Sequence, residues 1–262
     1  MTGARARALV VNIGAPVGFA VLVVAGWALV KAVTDIPDTS LPAPGQVADA
    51  LWEQRDLLWD NAWVTIVEIL VGFAAAIVLG IGLAMVIHAN RAVERAVYPW
   101  LVVSQMVPVV AVAPIFVIWT GFDLRPKVMV IALVSFFPVA VNTIDGLKAA
   151  DPELLNLLRT LGATRRQRVR IAQLPAALPS VFSGVKIAAA LSVIGAVFAE
   201  WVGASEGLGH LILVLNNQVA TAEMFATIVV LAGIGIALYG AVLLLERLLL
   251  PWYHGGRQGL RD

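Results

Sequence analysis

The chain has 262 residues, of which 60% are hydrophobic and 13% are charged, and its formal net charge at pH 7 is +1. A soluble domain is about 45–50% apolar and about 25% charged, so this composition excludes an ordinary soluble protein and predicts an integral membrane protein. The small net charge argues against a nucleic-acid partner. Because the sequence contains no cysteine, disulfides, thiolate catalysis and cysteine-bound metals are excluded as well.

Six long apolar segments predict transmembrane helices. They cover residues 9–32, 63–87, 97–120, 128–144, 179–202 and 225–249. About 20 mainly apolar residues are enough to cross the hydrocarbon core of a bilayer. The first segment is longer than the apolar part of a signal peptide and has no clear cleavage site, so we expect it to remain as an anchor. The sequence therefore predicts an all-α membrane protein with a single transmembrane domain over residues 1–262.

The orientation of the spans follows from Lys and Arg, which concentrate in cytoplasmic loops. Most of these residues lie on the same side of the spans as the N-terminus, including Arg91, Arg95 and the arginines of residues 145–178. Because the number of spans is even, both termini lie on one side. We therefore expect a multi-pass protein with cytoplasmic termini and a cytoplasmic inner loop, residues 145–178.

A short amphipathic helix is predicted in the inner loop. Asp151 can cap this helix, Pro152 suits its first position, and Glu153 complements the positive end of the helix dipole. Gly162 can supply the left-handed residue that ends it. One face carries an apolar stripe with helical spacing, formed by Leu154, Leu157, Leu158 and Leu161. Since the helix is too short to cross a membrane, we expect it to lie outside the bilayer.

A basic segment follows this helix. Thr164 can cap a second helix, which carries Arg165, Arg166, Arg168 and Arg170. At Leu174–Pro175 the chain is predicted to turn back to the membrane. On pattern alone, two interpretations of the loop are open. It is either a docking surface for a soluble partner or an interfacial segment whose arginines bind anionic lipid.

Polar residues within the predicted spans mark candidate positions along a solute pathway, because polar groups are unfavourable in lipid unless they face a cavity or a neighbouring helix. The candidates are Ser104, Gln105, Ser135 and Ser192. Hydrogen bonds between helices or back to the helix backbone would satisfy the same side chains. Near the span ends, Lys186 is predicted to snorkel to the surface and Glu200 to act as an interface anchor.

The inner loop resembles the EAA signature of permease subunits of ABC importers. Gly162 and the pair Leu174–Pro175 stand at the spacing of the Gly and the Leu-Pro pair in that signature. The sequence departs from it where Asn156, Leu157 and Leu158 occupy the Glu-Ala-Ala positions. Longer stretches, among them FAEWVGASEGLGHLI at residues 198–212, are similar to the branch that imports sulfonates, taurine, nitrate, pyrimidine vitamin precursors and riboflavin.

This resemblance implies a type I ABC importer permease fold in the bacterial plasma (inner) membrane. It implies a homodimer of permeases on two cytoplasmic ABC ATPase subunits, supplied by an extracytoplasmic solute-binding protein. The cargo would be a small organic solute or anion, such as a vitamin precursor, a sulfonate, taurine or nitrate. The residues that the resemblance implies in ATPase coupling are Asp151, Glu153, Leu154, Leu157, Leu158, Leu161, Gly162, Arg165, Arg166, Leu174 and Pro175.

The sequence does not predict an enzyme. It has no G-x-x-x-x-G-K-[ST] phosphate loop, so ATP and Mg²⁺ are expected on the partner ATPase, with no cofactor and no metal site on this chain. Two alternatives stay open, an ion-coupled secondary transporter and an intramembrane serine hydrolase. The hydrolase interpretation depends on residues 203–207, which match G-x-S-x-G. Ser205 is its candidate nucleophile and His210 its candidate base.

Overall fold

The computed structural model describes residues 2–255, with side chains for residues 14–253, and every regular element in this range is helical. The predicted all-α class is thereby confirmed. The C-terminal end of the predicted domain, residues 256–262, lies outside the described residues. The helices are α1 (Thr2–Val33), α2 (Pro44–Glu53), α3 (Arg55–Ala89), α4 (Arg91–Ser104), α5 (Val109–Thr120), α6 (Leu124–Lys148), α7 (Pro152–Thr160), α8 (Arg165–Arg168), α9 (Leu174–Gly203), α10 (Leu208–Asn217), α11 (Thr221–Leu249) and α12 (Pro251–Gly255).

Five helical segments of the described chain are long and apolar enough to cross a membrane by themselves. They are residues Gly14–Val33 of α1, helix α3, helix α6, the helical segment Arg165–Gly203, and helix α11. The segment predicted as one span over residues 97–120 differs from expectation, because it contains the two helices α4 and α5, bent by 99°. Pro108 lies at this break. Proline has no N–H to continue the helical ladder and disfavours helical conformation at the preceding residue.

The chain does not turn at Leu174–Pro175, so that prediction is wrong. Residues Arg165–Gly203 form one helical segment of 39 residues. A π-helical turn, Val169–Gln173, joins α8 to α9, and the Leu174 N–H donates to the carbonyl of Val169. Pro175 then falls in the first two positions of α9, where proline is tolerated. A proline that would stop an ordinary helix is thus accommodated by a local change of helical pitch.

The described chain divides into two compact units. The smaller unit comprises residues 1–59 and 211–230. Within it, the indole of Trp27 donates to the carbonyl of Pro42 at 3.0 Å and its ring lies 5.7 Å from that of Phe225. The hydroxyl of Thr221 donates to the carbonyl of Thr39 at 2.7 Å. These contacts fix the loop after α1 against the start of α11 inside this unit.

The larger unit, residues 60–210 and 231–262, is built on the contact of α6 with α9. Small residues allow this contact to be close. A Cβ atom added at Gly184 would lie 2.5 Å from the carbonyl oxygen of Pro138, and one added at Gly195 would lie 3.1 Å from the Cα atom of Ile131. Helix α3 approaches α6 from another side, where a Cβ atom at Gly72 would also meet Ile131. The three helices therefore form a tightly packed layer around the buried side chain of Ile131.

Replacing Gly184 by valine is expected to destabilise the protein, because a Cβ atom there would collide with the backbone of α6. Overpacking typically costs about 1–3 kcal/mol, so the Gly184→Val variant should unfold at a lower temperature than the wild type in detergent. Gly82→Val is the matched control, since Gly82 also lies in a membrane-crossing helix but has nothing within 4 Å of its Cβ position. Equal unfolding temperatures for the two variants would contradict the close contact of α6 with α9.

Candidate functional site

The loop between α6 and α9 begins with a helix that has the predicted caps. The carboxylate of Asp151 accepts a hydrogen bond from the Glu153 N–H at 2.8 Å, and Pro152 occupies the first helical position. At the other end, Gly162 has a φ of +79°, the left-handed conformation that a residue without Cβ adopts freely. The Ala163 N–H donates to the carbonyl of Leu158 at 2.9 Å and closes the end of the helix. The predicted limits of this helix are confirmed.

The apolar face of α7 is largely exposed. Leu154 is 42% exposed, Leu157 is 55% exposed and Leu161, directly after the helix, is 73% exposed, whereas Leu158 is half-buried. We call Leu154, Leu157 and Leu161 the leucine stripe. Three large apolar side chains on a short helix outside the membrane-crossing segments are typical of a surface that another protein covers. Of the four predicted stripe residues, Leu158 is therefore the one that packs back onto the chain.

The basic segment after α7 is fastened to the end of α3. Thr164 and Gln167 form a capping box at α8, in which the side-chain oxygen of Gln167 accepts from the Thr164 N–H at 2.7 Å. The guanidinium of Arg165 donates to the carbonyl of His88, near the end of α3, at 2.7 Å. Arg166 is exposed beside it. A hydrogen bond therefore connects the loop to the end of α3 within the larger unit.

The predicted coupling residues divide into two groups. Residues from Asp151 to Arg166 share the loop surface, whereas Leu174 and Pro175 lie further along, inside the continuous helical segment. Leu174 is half-buried and Pro175 is exposed.

The four candidate pathway residues occupy different environments. Ser104 and Gln105 lie where α4 ends, and the hydroxyl of Ser104 donates to the carbonyl of Leu101 at 2.7 Å. Ser135 on α6 and Ser192 on α9 are fully buried. The hydroxyl of Ser192 donates to the carbonyl of Ala189, while that of Ser135 has no hydrogen-bond partner among the described residues. No hydrogen bond within the described chain joins any two of the four.

A buried carboxylate caps helix α10, and sequence reasoning missed it. Glu200 near the end of α9 is only 1% exposed and accepts hydrogen bonds from the N–H groups of Gly209 and His210. Its other oxygen accepts from the hydroxyl of Thr65 at 2.7 Å. A carboxylate satisfies free N–H groups at a helix start and favours the positive end of the helix dipole. Glu200 is thus a buried cap, in place of the predicted interface anchor.

Helix α3 completes this cap. The side-chain oxygen of Asn61 accepts from the Gly207 N–H, and the hydroxyl oxygen of Thr65 accepts from the Leu208 N–H, each at 2.8 Å. Side chains from α3 and α9 therefore bind four successive N–H groups, from Gly207 to His210. The only sequence signal for this arrangement was a Glu followed by a glycine-rich stretch. The backbone at Gly207 and Gly209 comes so close to the carboxylate of Glu200 that neither position has room for a side chain.

Two ion pairs join membrane-crossing helices in the larger unit. Glu68 on α3 pairs with Lys127 on α6, and the ammonium of Lys186 on α9 lies 2.8 Å from the carboxylate of Glu246 on α11. Both carboxylates are buried. Lys186 therefore has a partner inside the helix packing, in place of the predicted snorkelling to the surface. Pairing offsets the large desolvation cost of a charge at membrane depth.

The geometry of a nucleophile elbow is absent from residues 203–207. That turn requires a strand before the serine, whereas the 30-residue helix α9 precedes it here. Ser205 is exposed, and no hydrogen bond joins it to His210 in the described part of the chain. The glycines of this segment serve the cap around Glu200.

Comparisons with known proteins agree with this architecture. Residues 76–253 match the model of a family described as binding-protein-dependent transport system inner membrane component. The chain is 43% identical over 213 residues to the formylaminopyrimidine transport permease protein ThiX of Halalkalibacterium halodurans, covering 81% of this chain and 85% of that relative. It is 36% identical over 242 residues to the riboflavin transport system permease protein RibX of Chloroflexus aurantiacus, covering 92% and 90%.

Among solved structures, an inward-facing conformation of the MetNI methionine ABC transporter is similar, with a TM-score of 0.66 and 21% sequence identity. The similarity covers 74% of this chain and 97% of that chain. The resemblance drawn from the inner-loop motif and the type I importer permease fold are both confirmed by these matches.

Alanine at Gly207 is expected to destabilise the protein more than alanine at Gly121. Both glycines have positive φ, +113° and +89°, so the backbone strain of the added methyl group is similar. Only at Gly207 does the methyl group also collide with the carboxylate of Glu200, because nothing lies within 4 Å of the Cβ position at Gly121. Thermal unfolding of Gly207→Ala and Gly121→Ala measures the difference. Equal losses in the two variants would show that the cap around Glu200 contributes nothing to stability.

Proposed function

Because this chain belongs to the family of binding-protein-dependent transport system inner membrane components, we propose that it is the permease subunit of an ATP-driven importer that moves a small organic solute into the cytoplasm. A multi-span permease of the bacterial inner membrane is the broader assignment that the family supports. The observation that carries the proposal is the exposed leucine stripe on α7, a capped helix between the membrane-crossing helices α6 and α9. In this proposal the stripe is the docking surface for a cytoplasmic ATPase.

The position of α7 suits the transmission of movement. The membrane-crossing helices before and after it, α6 and α9, are in contact through the close approach at Gly184 and Gly195. A packed helix pair is displaced as a unit more readily than it is deformed. Closure of an ATPase dimer would draw two copies of α7 together, and the α6–α9 pair of each copy would carry that displacement across the membrane. Alternating access then requires no covalent chemistry on this chain.

The proposed assembly contains two copies of this permease, two ABC ATPase subunits and an extracytoplasmic solute-binding protein. ATP and Mg²⁺ are proposed to bind to the ATPase, a proposal supported by the lack of a phosphate-loop motif in this sequence. The docking residues are those assigned from the inner-loop motif, from Asp151 to Arg166. Leu174 and Pro175 are proposed to act indirectly, because they lie in the helical segment that connects the loop to α9.

The proposed cargo is a heterocyclic vitamin precursor. Two relatives support it, since one is named for formylaminopyrimidine transport and the other for riboflavin transport. Both cargoes are nitrogen heterocycles. A sulfonate, taurine or nitrate is the second candidate, because the sequence also resembles the permeases that import these solutes. Discrimination among these solutes is assigned to the solute-binding protein, whose pocket encloses the cargo.

We assign the start of the solute pathway to the break between α4 and α5. Ser104 and Gln105 lie there, where α4 ends, and the side chain of Gln105 is exposed. Ser135 and Ser192 are proposed to join the pathway in a different conformation, since both are fully buried in this one. The hydroxyl of Ser135 has no hydrogen-bond partner among the residues that the structure describes, which favours this idea because a buried polar group without a partner is unfavourable.

A charge in the leucine stripe is expected to disconnect the ATPase. In a Leu157→Asp variant an unpaired carboxylate would be buried at the docking surface, which costs several kcal/mol or about a hundredfold in affinity. Co-purification with the ATPase and ATP-dependent uptake into proteoliposomes should both be lost, while thermal stability of the permease is kept. Asn156→Asp is the matched control, because it adds the same charge to an exposed position on the opposite face of α7. Normal assembly and uptake by Leu157→Asp would overturn the docking assignment.

The orientation of the loop is testable directly, since the chain has no cysteine of its own. A cysteine in place of the exposed Arg166 should react with a membrane-impermeant maleimide only after cells are permeabilised. A cysteine in place of the exposed Arg125, at the opposite end of α6, should react in intact cells. Labelling of Arg166→Cys in intact cells would place the loop outside the cell and end the proposal that an ATPase docks there.

A further inference from the structure

A basic cavity of about 870 Å³ lies behind the leucine stripe, in the larger unit. Its walls come from the end of α3, the start of α4, the end of α6 and the helices α7 and α8. Five cationic side chains and one carboxylate line it: Arg91, Lys148, Arg159, Arg165, Arg168 and Glu94. We refer to this space as the basic cavity.

The positive charge in the basic cavity is mostly unneutralised. Lys148 forms an ion pair with Glu94 at 2.6 Å. None of the four arginines forms an ion pair within residues 14–253, and the Nε atom of Arg168 is buried without a hydrogen-bond partner among those residues. Several guanidinium groups gathered around one cavity repel each other, and an anion between them removes that repulsion. The cavity therefore has the electrostatics of an anion site.

The cavity belongs to a different face of α7 from the leucine stripe. Leu155 and Arg159, four residues apart, line it, whereas Leu154, Leu157 and Leu161 point away into the exposed stripe. Helix α7 can consequently carry a protein partner on one face and a small ligand on the other. Two hydrogen bonds connect parts of the rim, since the ring of His88 is hydrogen-bonded to the side chain of Gln173 at 3.2 Å and Gln173 donates to the carbonyl of Leu147.

We propose that the basic cavity binds a phosphate group and thereby ties α7 and α8 to the ends of α3 and α4. Guanidinium groups match the oxygens of a phosphate with paired, charge-assisted hydrogen bonds. The cavity lies at the ends of α3 and α6, which are long and apolar enough to cross a membrane, and basic pockets between such helices are suited to anionic head groups. Its volume accommodates a phosphate together with part of a lipid glycerol. A lipid head group and a free phosphate ion present the same chemistry here.

The test uses the full chain purified in neutral detergent, with native mass spectrometry to count bound ligand. Phosphatidylglycerol and inorganic phosphate are added separately, with zwitterionic phosphatidylcholine as reference. The wild type should retain one of the two anionic ligands in preference to phosphatidylcholine. Retention of phosphatidylglycerol alone identifies a lipid site, and retention of inorganic phosphate identifies a site for the free ion.

Loss of two arginines should weaken binding strongly. Each charge-assisted hydrogen bond is worth about tenfold or more in affinity, so the Arg91→Gln/Arg159→Gln double variant should bind at least about a hundredfold more weakly. Arg170→Gln is the matched control, because it removes the same charge from an arginine that is exposed like Arg91 and Arg159 but lies outside the cavity, and we expect a change within about twofold. If the double variant does not elute as a homogeneous species, the Arg91→Gln single variant is used as the test, and its affinity for the ligand is expected to fall about tenfold.

Unchanged ligand binding by the double variant would overturn the proposal, and so would either of two further results. One is a wild-type protein that retains neither anionic ligand above phosphatidylcholine. The other is an Arg170→Gln variant that loses as much binding as the cavity variants, which would indicate a diffuse surface charge effect. Because the measurement involves no ATPase and no transport, it stands or fails independently of the proposed docking of α7.

Discussion

The close contact of α6 with α9 is the constraint on which the rest of the larger unit depends. At Gly184 the absence of a side chain lets the two helix backbones meet, and Ile131 of α6 fills the space between α3 and α9. The loop that carries α7 leaves the end of α6 and returns as the start of the helical segment that contains α9. A loop held at both ends by one packed helix pair can pass a displacement into the membrane-crossing helices, because a dense interior resists local deformation.

Buried carboxylates and their partners are a second feature that connects the helices of the larger unit. Glu68, Glu200 and Glu246 lie in helices whose surroundings are mainly apolar, and each has found a specific partner. Glu68 and Glu246 pair with lysines on neighbouring helices, whereas Glu200 binds the free N–H groups at the start of α10. Each partner is set by geometry, since an unpaired charge at this depth is strongly unfavourable. The ion pairs and the cap therefore stabilise the contacts between the helix faces that meet in this fold.

The inner loop presents two chemically different faces. One is the leucine stripe, and the other is the wall of the basic cavity. The two interpretations that the sequence left open, a docking surface and a lipid-binding segment, are therefore spatially compatible. Their separation follows from the period of α7, because residues 154, 157 and 161 return to one side of the helix while residues 155 and 159 share another.

The sequence by itself determined the membrane class, the family resemblance, the approximate positions of the long helices and both ends of α7. These features depend on local signals: apolar run length, a capping Asp before Pro152 and a left-handed glycine at position 162. Only the tertiary structure decided the bend between α4 and α5, the π-helical passage through Leu174–Pro175, and the partners of Lys186 and Glu200. The pairing of Lys186 with Glu246 is not a local signal, because the two residues are far apart in the chain. Whether a helix bends or continues at a proline depends on the space and the hydrogen bonds around that proline. Such outcomes depend on which helix faces meet, and no local pattern contains that information.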